Sequence, residues 1–317
     1  MDLKKILPSK IFEVIDKAGL STAKQIMILS VWDIKKLTNL RTDDILLLKN
    51  QVANHVSPES ITSDELLTRQ EKAITTGCVE IDKQLQNGFR VGTITEIYGE
   101  SGSGKTQIAL QAAAHNWSTG TVFICTEDTF PVKRFEQIKQ SIKDYNREED
   151  YGKNIFVEHI TEACDLLSCI RVRLPKLLEK HKLSLVIIDS IAAPFRSEYT
   201  NYIQRAEELR ELALSLIKIA QEHNLAVLCI NQVTASFDGP EVLPSLGLAW
   251  SNMISTRLWL RKTNRIISFN KMPTTTMKTA SIEENIFVRE LSVIFAPNLP
   301  NSVIKLIITP TGIQSML

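Results

Sequence analysis

An eight-residue stretch constrains the fold of this chain more than any other feature of its sequence. It reads GESGSGKT, from Gly99 to Thr106, and matches the pattern G-x-x-x-x-G-K-[ST] without a gap. In this pattern the backbone N–H groups of a loop wrap phosphate oxygens, the lysine reaches the terminal phosphates and the hydroxyl binds magnesium. A strand predicted over 93–98 precedes the loop and a helix predicted to begin near Lys105 follows it, which is the context that the motif requires. The sequence therefore predicts a nucleotide-binding α/β domain.

Composition sets few other limits on the class of protein. The chain has 317 residues and a hydrophobic fraction of 44%, so it is long enough for one large α/β core and a small accessory domain. It carries 37 basic and 36 acidic residues, which gives a formal net charge of +1. Because no strong positive field surrounds the whole molecule, any surface for nucleic acid must be a local basic patch.

The N-terminal region differs in pattern from the rest of the chain. Residues 1–56 contain four short amphipathic patterns, which predict a small helical domain. The residues at its predicted N-cap positions are Ser21, Ser30 and Thr42. Residues 57–73 are polar and mixed in composition, which is typical of a linker. Residues 74–317 then form the predicted nucleotide-binding core.

Short apolar runs alternate with helical patterns through this core. The predicted strands are 93–98, 122–126, 155–159, 185–189, 226–231 and 256–260. A long helical pattern over 205–222 lies between two of them. Because the strands are apolar almost without interruption, we expect a mostly parallel central sheet that is covered by helices on both faces.

Three polar residues at the ends of these strands are candidates for chemistry next to the phosphate loop. Asp189 ends the strand of LSLVIIDS, where a carboxylate supports a magnesium shell; the alternative is a capping aspartate after a core strand. Glu127 follows the strand of FICTEDTF and is a candidate base for an attacking water, although an exposed loop acid gives the same pattern. Gln232 follows the strand of LCINQV, and its amide is either a γ-phosphate ligand or a turn-forming group.

Neither the cysteines nor the N-terminus adds a further chemistry. The five cysteines, at positions 78, 125, 164, 169 and 229, show no C-x-x-C pair, so disulfides and zinc ligands are not expected. We expect Cys125 and Cys229 to be small buried residues within strands. The N-terminal sequence MDLKKILPSKIF lacks the apolar core of a signal peptide, and no apolar run is long enough to span a bilayer. We therefore expect a cytosolic or nuclear protein without a membrane partner.

The order of these elements resembles the RecA-type recombinase family, and within it the eukaryotic RecA homologues. The matching blocks extend over nearly the whole chain and read ITTGCVEIDKQLQNGF, TEIYGESGSGKTQIAL, TEDTFPVKRF, VIIDSIAAPFR, NQV and TRLWLRK. In detail, VFICTEDTFPVKR, DSIAAPFR and LCINQV look most like a eukaryotic paralogue of the strand-exchange recombinase. The resemblance implies a RecA-type P-loop ATPase core with ATP and Mg²⁺ as cofactors, preceded by a small all-α domain.

The resemblance also implies a role for individual residues. Those that would contact the nucleotide from the phosphate loop are Gly99, Glu100, Ser101, Gly102, Ser103, Gly104, Lys105, Thr106 and Gln107. Thr106 and Asp189 would hold Mg²⁺, and Arg134 would stack on adenine. Glu127 would face the hydrolytic water and Gln232 would sense the γ-phosphate, so these two residues are the catalytic candidates.

Three departures from the family pattern bear on assembly and turnover. Active recombinases carry a Phe-x-x-Ala segment that inserts into the next protomer, whereas SITSDELL has Ile61 and then Asp64 at the equivalent positions. The helical hairpin of the family's first domain uses glycines to approach DNA phosphates, but the turn KLTNLR has Asn39 and no glycine. The residue after the candidate base is Asp128 in place of glycine, which adds negative charge beside the γ-phosphate and is expected to slow hydrolysis.

Basic residues in two regions are candidates for DNA contact. The family's two DNA-facing loops would follow Arg196 and Gln232. A segment without acidic residues contains the aromatic residues Trp259 and Phe269 and the basic residues Arg257, Arg261, Lys262, Arg265, Lys271 and Lys278. It is either a solvated, extended hairpin or a ridge that contacts phosphates and stacks on bases.

The resemblance implies an ATP-binding paralogue that acts in homologous recombination repair of DNA double-strand breaks. By resemblance, it would work in the nucleus, with the cytoplasm as a second compartment, bound to another RecA-like paralogue of the C-type and to single-stranded or branched DNA. ATP would be mainly a conformational clamp with weak, DNA-dependent hydrolysis. FAPNLPN, with Pro297 and Pro300, resembles the segment that covers a neighbour's ATP, so one assembly surface is retained while the altered linker disfavours long self-filaments. The alternatives are a self-polymerising strand-exchange recombinase and a nearly inactive ATP-bound scaffold.

Overall fold

The chain divides into two compact units, Met1–Gln70 and Glu71–Leu317. The computed structural model describes residues 3–58, 60–68, 72–142, 152–196, 201–235, 242–270 and 283–316. The predicted basic residues Lys271 and Lys278 lie outside the described residues, as do 197–200 and 236–241 of the two predicted DNA-facing loops.

The first unit is helical, with a core of its own. Its helices are α1 (Ser9–Lys17), α2 (Ala23–Ile28), α3 (Val31–Thr38), α4 (Thr42–Val56) and α5 (Ser63–Thr68). Its fully buried side chains include Ile15, Ile26, Ile34, Ile45, Leu48 and Val52. These residues recur at helical spacing, and burying them together supplies the apolar core that short helices need for stability.

Two of the three predicted N-caps of this unit are wrong by one residue. Ser30 caps α3, where its hydroxyl accepts a hydrogen bond from the backbone N–H of Asp33. Thr22, not Ser21, caps α2 with a complete capping box. The N-cap of α4 is Arg41, without a side-chain hydrogen bond, and Thr42 is the first residue of the helix. A local hydroxyl therefore identified the right region, but the choice between neighbouring residues depended on backbone geometry.

The segment predicted as a linker contains α5. The hydroxyl of Thr62 accepts a hydrogen bond from the backbone N–H of Glu65, and the Glu65 carboxylate accepts one from the backbone N–H of Thr62. This T-x-x-E capping box starts the helix within an otherwise polar stretch. The second unit includes the short strand β1 (Ala73–Ile74), which pairs with β2 (Phe89–Arg90).

A nine-stranded sheet of described residues forms the centre of the second unit. Its strands are β3 (Ile94–Tyr98), β4 (Thr121–Cys125), β5 (Ile155–His159), β6 (Leu185–Asp189), β7 (Ala226–Asn231), β10 (Thr256–Asn270), β11 (Glu283–Phe295), β12 (Val303–Thr309) and β13 (Gly312–Ser315). The order is β13-β12-β11-β10-β3-β7-β6-β4-β5, and the pairs from β10 to β5 are parallel. The predicted mostly parallel sheet is confirmed, with an antiparallel extension at one side. A separate hairpin consists of β8 (Val233–Ala235) and β9 (Val242–Pro244).

Helices cover both faces of this sheet, because each central strand is apolar on both sides. They are α6 (Val79–Gln84), α7 (Lys105–His115), α8 (Val132–Lys139), α9 (Ala163–Ser168), α10 (Leu174–Lys180), α11 (Tyr202–His223) and α12 (Gly247–Ser251). Alternate residues of β6 belong to different cores, so that Val186 packs with α11 on one face and Ile187 packs with α7 on the other. Cys125 and Cys229 are buried in strands as expected, and all five cysteines are free.

Strand β10 is much longer than the predicted strand over 256–260. It pairs with β3 only from Thr256 to Trp259 and continues to Asn270 in pairing with β11. The register of this antiparallel pair shifts between Lys262 and Ile266. The outer part of β10 therefore has β11 as its only neighbouring strand among the described residues.

Candidate functional site

The phosphate-loop sequence lies between β3 and α7, as predicted. Gly102 and Gly104 have positive φ values of 73° and 111°, a conformation that a residue with a Cβ adopts only with strain. A Cβ on Gly99 would lie 2.0 Å from the carbonyl oxygen of Leu260 on β10, so only glycine fits there. The loop thus ends at the N-terminus of an eleven-residue helix, where free backbone N–H groups and the helix dipole favour an anion.

Lys105, the first residue of α7, is directed into this loop. Its Nζ donates hydrogen bonds to the carbonyl oxygens of Gly99 at 2.7 Å and Glu100 at 2.9 Å. The side chain is 9% exposed, and this burial lowers the pKa of the ammonium group. A buried ammonium group at a phosphate loop is positioned to bind a multiply charged anion.

Thr106 and Asp189 meet beside the loop. The hydroxyl of Thr106 donates a 2.6 Å hydrogen bond to Oδ2 of Asp189, although 83 residues separate them in the sequence. Burial raises the pKa of Asp189, and the nearby Glu127 and Asp128 raise it further, against the lowering effects of Thr106 and Lys105. A hydroxyl and a carboxylate in contact are the oxygen donors that Mg²⁺ binds next to a phosphate.

Glu127 and Gln232 are also brought together at the carboxyl ends of the strands. The Gln232 side-chain amide donates a hydrogen bond to Oε1 of Glu127. Arg196 forms an ion pair with the same carboxylate at 3.8 Å. Asp128 lies beside them on the cavity wall. The predicted base and the predicted phosphate sensor are therefore direct neighbours, which the sequence did not specify.

Arg134 lies at another part of the rim and is held by the protein itself. Its Nε donates to Gln107 at 2.6 Å, and its two terminal nitrogens donate to the carbonyl oxygens of Pro310 and Thr309, each at 2.8 Å. Partial burial lowers the pKa of this guanidinium group. These bonds fix the plane of the guanidinium group at the cavity edge, and its stacking on adenine stays a prediction.

These residues surround one open cavity of about 880 Å³. Its lining includes Gly99, Ser101, Gly102, Gly104, Lys105, Thr106, Gln107, Glu127, Asp128, Arg134, Asp189, Arg196 and Gln232. The hydroxyl of Ser103, within the loop, is buried and has no hydrogen-bond partner among the described residues. A cradle that admits only glycine, a buried lysine and paired oxygen donors together fit a nucleoside triphosphate with Mg²⁺.

Arg257 differs from its predicted role as a DNA contact. Its Nε donates to Oε2 of Glu96 at 2.5 Å, and one terminal nitrogen donates to the hydroxyl of Ser251 at 3.0 Å. Its side chain is only 15% exposed, and Glu96 is fully buried. Because the guanidinium group balances a buried carboxylate, Arg257 has a structural role and is not a candidate for phosphate contact.

The other basic candidates on β10 lie at the surface, but two of them already have partners. Arg261 forms an ion pair with Glu290, which stands opposite it on β11. Lys262 places its Nζ 3.6 Å from the centroid of the Phe287 ring. Arg265 is exposed. The segment carries no acid of its own, but the neighbouring strand β11 contains Glu283, Glu284 and Glu290. The positive charge of this region is therefore weaker than the sequence of β10 alone suggests.

Glu96 is a buried residue of the second unit that was not among the predicted site residues. It sits in the middle of β3, accepts hydrogen bonds from Asn231, Trp250 and Arg257, and is fully buried. The signal was present in the sequence, because a glutamate within the apolar run ITEIY is unexpected unless a cation compensates it.

Two of the departures from the family pattern, at Asn39 and Asp64, lie in the first unit. Asn39 ends α3 with φ 55° and ψ 17°, the left-handed conformation that glycine takes most easily. The turn therefore keeps its backbone geometry with an asparagine side chain added. Asp64 is exposed in the first turn of α5, where its charge is favourable to the helix dipole, and Ile61 is half-buried.

Comparison with known proteins decides the family. A family model described as Rad51 matches residues 68–286, well over half of the chain. The chain belongs to the Rad51 family. The predicted RecA-type resemblance and the predicted fold class, a P-loop core with a mostly parallel sheet and a helical N-terminal segment, are confirmed.

The similar curated proteins are named as DNA repair proteins. The chain is 30% identical to DNA repair protein XRCC3 of Bos taurus, over 100% of this chain and 98% of the relative. It is also 30% identical to XRCC3 of Mus musculus, again over 100% of this chain and 98% of the relative. DNA repair protein rhp57 of Schizosaccharomyces pombe is 27% identical over 96% of each chain. In the part of the chain that the structure describes, no helix is both long and apolar enough to cross a lipid bilayer.

Proposed function

We propose that the chain binds ATP with Mg²⁺ in the cavity at the carboxyl ends of its parallel strands. Backbone N–H groups of residues 99–106 and the ammonium group of Lys105 would hold the phosphates, and Thr106 and Asp189 would hold the metal. When bound, Mg²⁺ neutralises phosphate charge and fixes the orientation of the terminal phosphate. The observation that carries the proposal is the contact between Thr106 and Asp189 beside the buried Lys105.

Glu127 and Gln232 are proposed to control turnover. The Glu127 carboxylate would orient and deprotonate water, and the Gln232 amide that now bonds to it would turn to a γ-phosphate oxygen. Asp128 adds a second negative charge near the reacting phosphate, which opposes an incoming anion and slows hydrolysis. ATP would then act mainly as a conformational clamp, with weak DNA-dependent hydrolysis that resets it.

The biological role we propose is homologous recombination repair of DNA double-strand breaks. The Rad51 family match and the names of the full-length relatives support this role, and it implies a nuclear protein. Arg196, Lys262 and Arg265 are the remaining candidates for contact with single-stranded or branched DNA, because each is exposed. Arg261 can join them only where a phosphate replaces Glu290.

The assembly we propose is a heteromeric complex with another RecA-like paralogue, the C-type one. Ile61 can enter an apolar pocket on a neighbour, but Asp64 would have to be buried there in place of a small apolar residue. Burying an unpaired carboxylate costs several kcal/mol, which is enough to abolish a contact repeated along a filament. The covering segment at residues 295–301 is retained, so the chain would join a partner at one side and end growth at the other.

Electron microscopy with copurification tests this function. The chain would be purified alone and with the chains that it captures from native extract, and each sample mixed with ATP, Mg²⁺ and single-stranded DNA. We expect discrete particles of limited size that contain a second Rad51-family chain and that persist longer with ATP. Regular helical filaments formed by the chain alone would refute the heteromeric assignment in favour of a self-polymerising recombinase.

A further inference from the structure

The buried carboxylate of Glu96 lies at the centre of a hydrogen-bond network in the second unit. Its Oε1 accepts from Nδ2 of Asn231 at 2.7 Å and from Nε1 of Trp250 at 2.8 Å, and its Oε2 accepts from Arg257. Arg257 is the counter-ion of this carboxylate, and each of its two oxygens accepts at least one hydrogen bond. A buried network whose polar groups are all hydrogen-bonded is rigid, so it fixes the strands and the helix that carry its residues.

Asn231 connects this network to both ends of the hairpin formed by β8 and β9. Asn231 is the last residue of β7, immediately before Gln232 and the hairpin. Its Nδ2 also donates to the carbonyl oxygen of Ser245 at 2.9 Å, and its Oδ1 accepts from the Ser245 hydroxyl at 2.6 Å. Ser245 is the first residue after the hairpin, so one asparagine holds the entry and the exit of the hairpin together.

Ser245 also fixes the backbone of Gln232. The backbone N–H of Ser245 donates to the Gln232 carbonyl oxygen at 2.9 Å, and its hydroxyl lies 3.1 Å from the same oxygen. On its other side, the backbone N–H of Gln232 donates to Oδ1 of Asn231 at 2.7 Å. The Gln232 main chain is therefore held on both sides, and its side chain is left to bond to Glu127.

We propose that Glu96, Asn231 and Ser245 form a hairpin clamp in which Ser245 is a positioning residue for Gln232. The clamp holds the base of the hairpin on the buried core and so determines where the Gln232 amide lies relative to Glu127 and the phosphate cavity. This inference rests on the proposed nucleotide-dependent function, since it names the residues that connect the cavity to the hairpin. Because the Gln232 main chain is held on both sides, its position is tied to that of the paired strands β8 and β9.

The test compares Ser245→Ala with Ser245→Thr, which keeps the hydroxyl, and with Ser302→Ala as the matched control. Ser302 is a half-buried serine of the same unit whose hydroxyl bonds to Gln84 and not to the hairpin. The first readout is hydrogen exchange of the full chain without nucleotide. Ser245→Ala removes the hydrogen bonds of the Ser245 hydroxyl, so we expect the Gln232 and Ser245 amides to exchange about tenfold faster in this variant. We expect wild-type exchange rates in Ser245→Thr and Ser302→Ala.

The second readout is ATP turnover, which separates positioning from loss of structure. We expect Ser245→Ala to lower kcat about tenfold and to leave KM within about twofold, because Lys105 and the phosphate loop lie outside the clamp. Ser245→Thr should restore kcat. Wild-type exchange at Gln232 in Ser245→Ala, or equal losses in the Ala and Thr variants, would overturn the clamp. If the wild-type chain fails to bind ATP, the proposed function fails, whereas the clamp is still judged by the nucleotide-free exchange.

Discussion

Replacement of Lys105 by methionine tests the nucleotide site most directly. Methionine keeps most of the volume of the side chain and removes the ammonium group. In the ligand-free fold the change deletes the two hydrogen bonds to the carbonyl oxygens of Gly99 and Glu100. Burial lowers the pKa of Lys105, which means that the folded state disfavours its charged form. Removal of the charge therefore offsets part of the stability that is lost with the two hydrogen bonds. We therefore expect only a small change in stability without ATP.

With ATP present, the two proteins should separate clearly. ATP at a hundredfold excess over Kd stabilises the wild-type fold by about 2.7 kcal/mol, which raises Tm by roughly 5–11 °C for a domain of this size. Loss of about 3 kcal/mol of charge-assisted bonds to the phosphates weakens Kd roughly 140-fold. The same ATP concentration then stabilises the mutant by only about 0.3 kcal/mol, a Tm shift of about 1 °C.

Differential scanning fluorimetry with and without ATP and Mg²⁺ measures these shifts, and each protein serves as its own reference. Lys139→Met is the matched control, because Lys139 is also a buried lysine, 7% exposed, but pairs with Glu136 outside the cavity. It should keep the wild-type ATP shift whatever its own stability. Equal ATP shifts in Lys105→Met and the wild type would refute the assignment of this lysine to the phosphates.

Three further outcomes are expected. Glu127→Gln should bind ATP with unchanged affinity, because the amide keeps the shape of the side chain. Because it removes the base, it should lower ATP turnover, measured by phosphate release, by at least about a hundredfold. Unchanged turnover would show that Glu127 is not the base. Charge reversal at Lys262 and Arg265 should reduce the salt slope of single-stranded DNA binding by about 0.7 for each phosphate that the variant no longer neutralises, and an identical slope would favour the solvated hairpin. Cys164 should be the first cysteine that a thiol reagent labels in the native chain, because the other four are buried. Local desolvation and the carboxylates of Asp165 and Glu162 raise its pKa, so its labelling rate should still be rising above about pH 9, and a plateau at lower pH would contradict this.

The phosphate loop and the strand ends were predictable because their function depends on local sequence. Glycines at fixed spacing, a lysine at the start of a helix and acids after apolar strands determine chemistry at the positions where they occur. Parallel strands place their carboxyl ends at one edge, so Asp189, Glu127 and Gln232 were expected near the loop without knowledge of the strand order.

The pairing of charges across strands was not predictable in the same way. Arg257 and Arg261 belong to one basic stretch, yet Arg257 balances a glutamate of β3 and Arg261 balances one of β11. Strand register determines these partners, and no local pattern in the sequence of β10 specifies it. The extension of β10 beyond Leu260 was given only as one of two alternatives, an extended hairpin, because its polar residues do not alternate as in a strand with one buried face.

The close approach between Gly99 and the carbonyl oxygen of Leu260 connects β10 to the phosphate loop. The outer part of this strand continues to Asn270 with only β11 beside it among the described residues, while its inner end is fixed between β3 and β11. A two-stranded ribbon is less stable by itself than the sheet from which it extends. The backbone of this ribbon leads directly to Leu260, where no side chain separates it from the first glycine of the phosphate loop. The ribbon and the proposed nucleotide site therefore share one backbone contact.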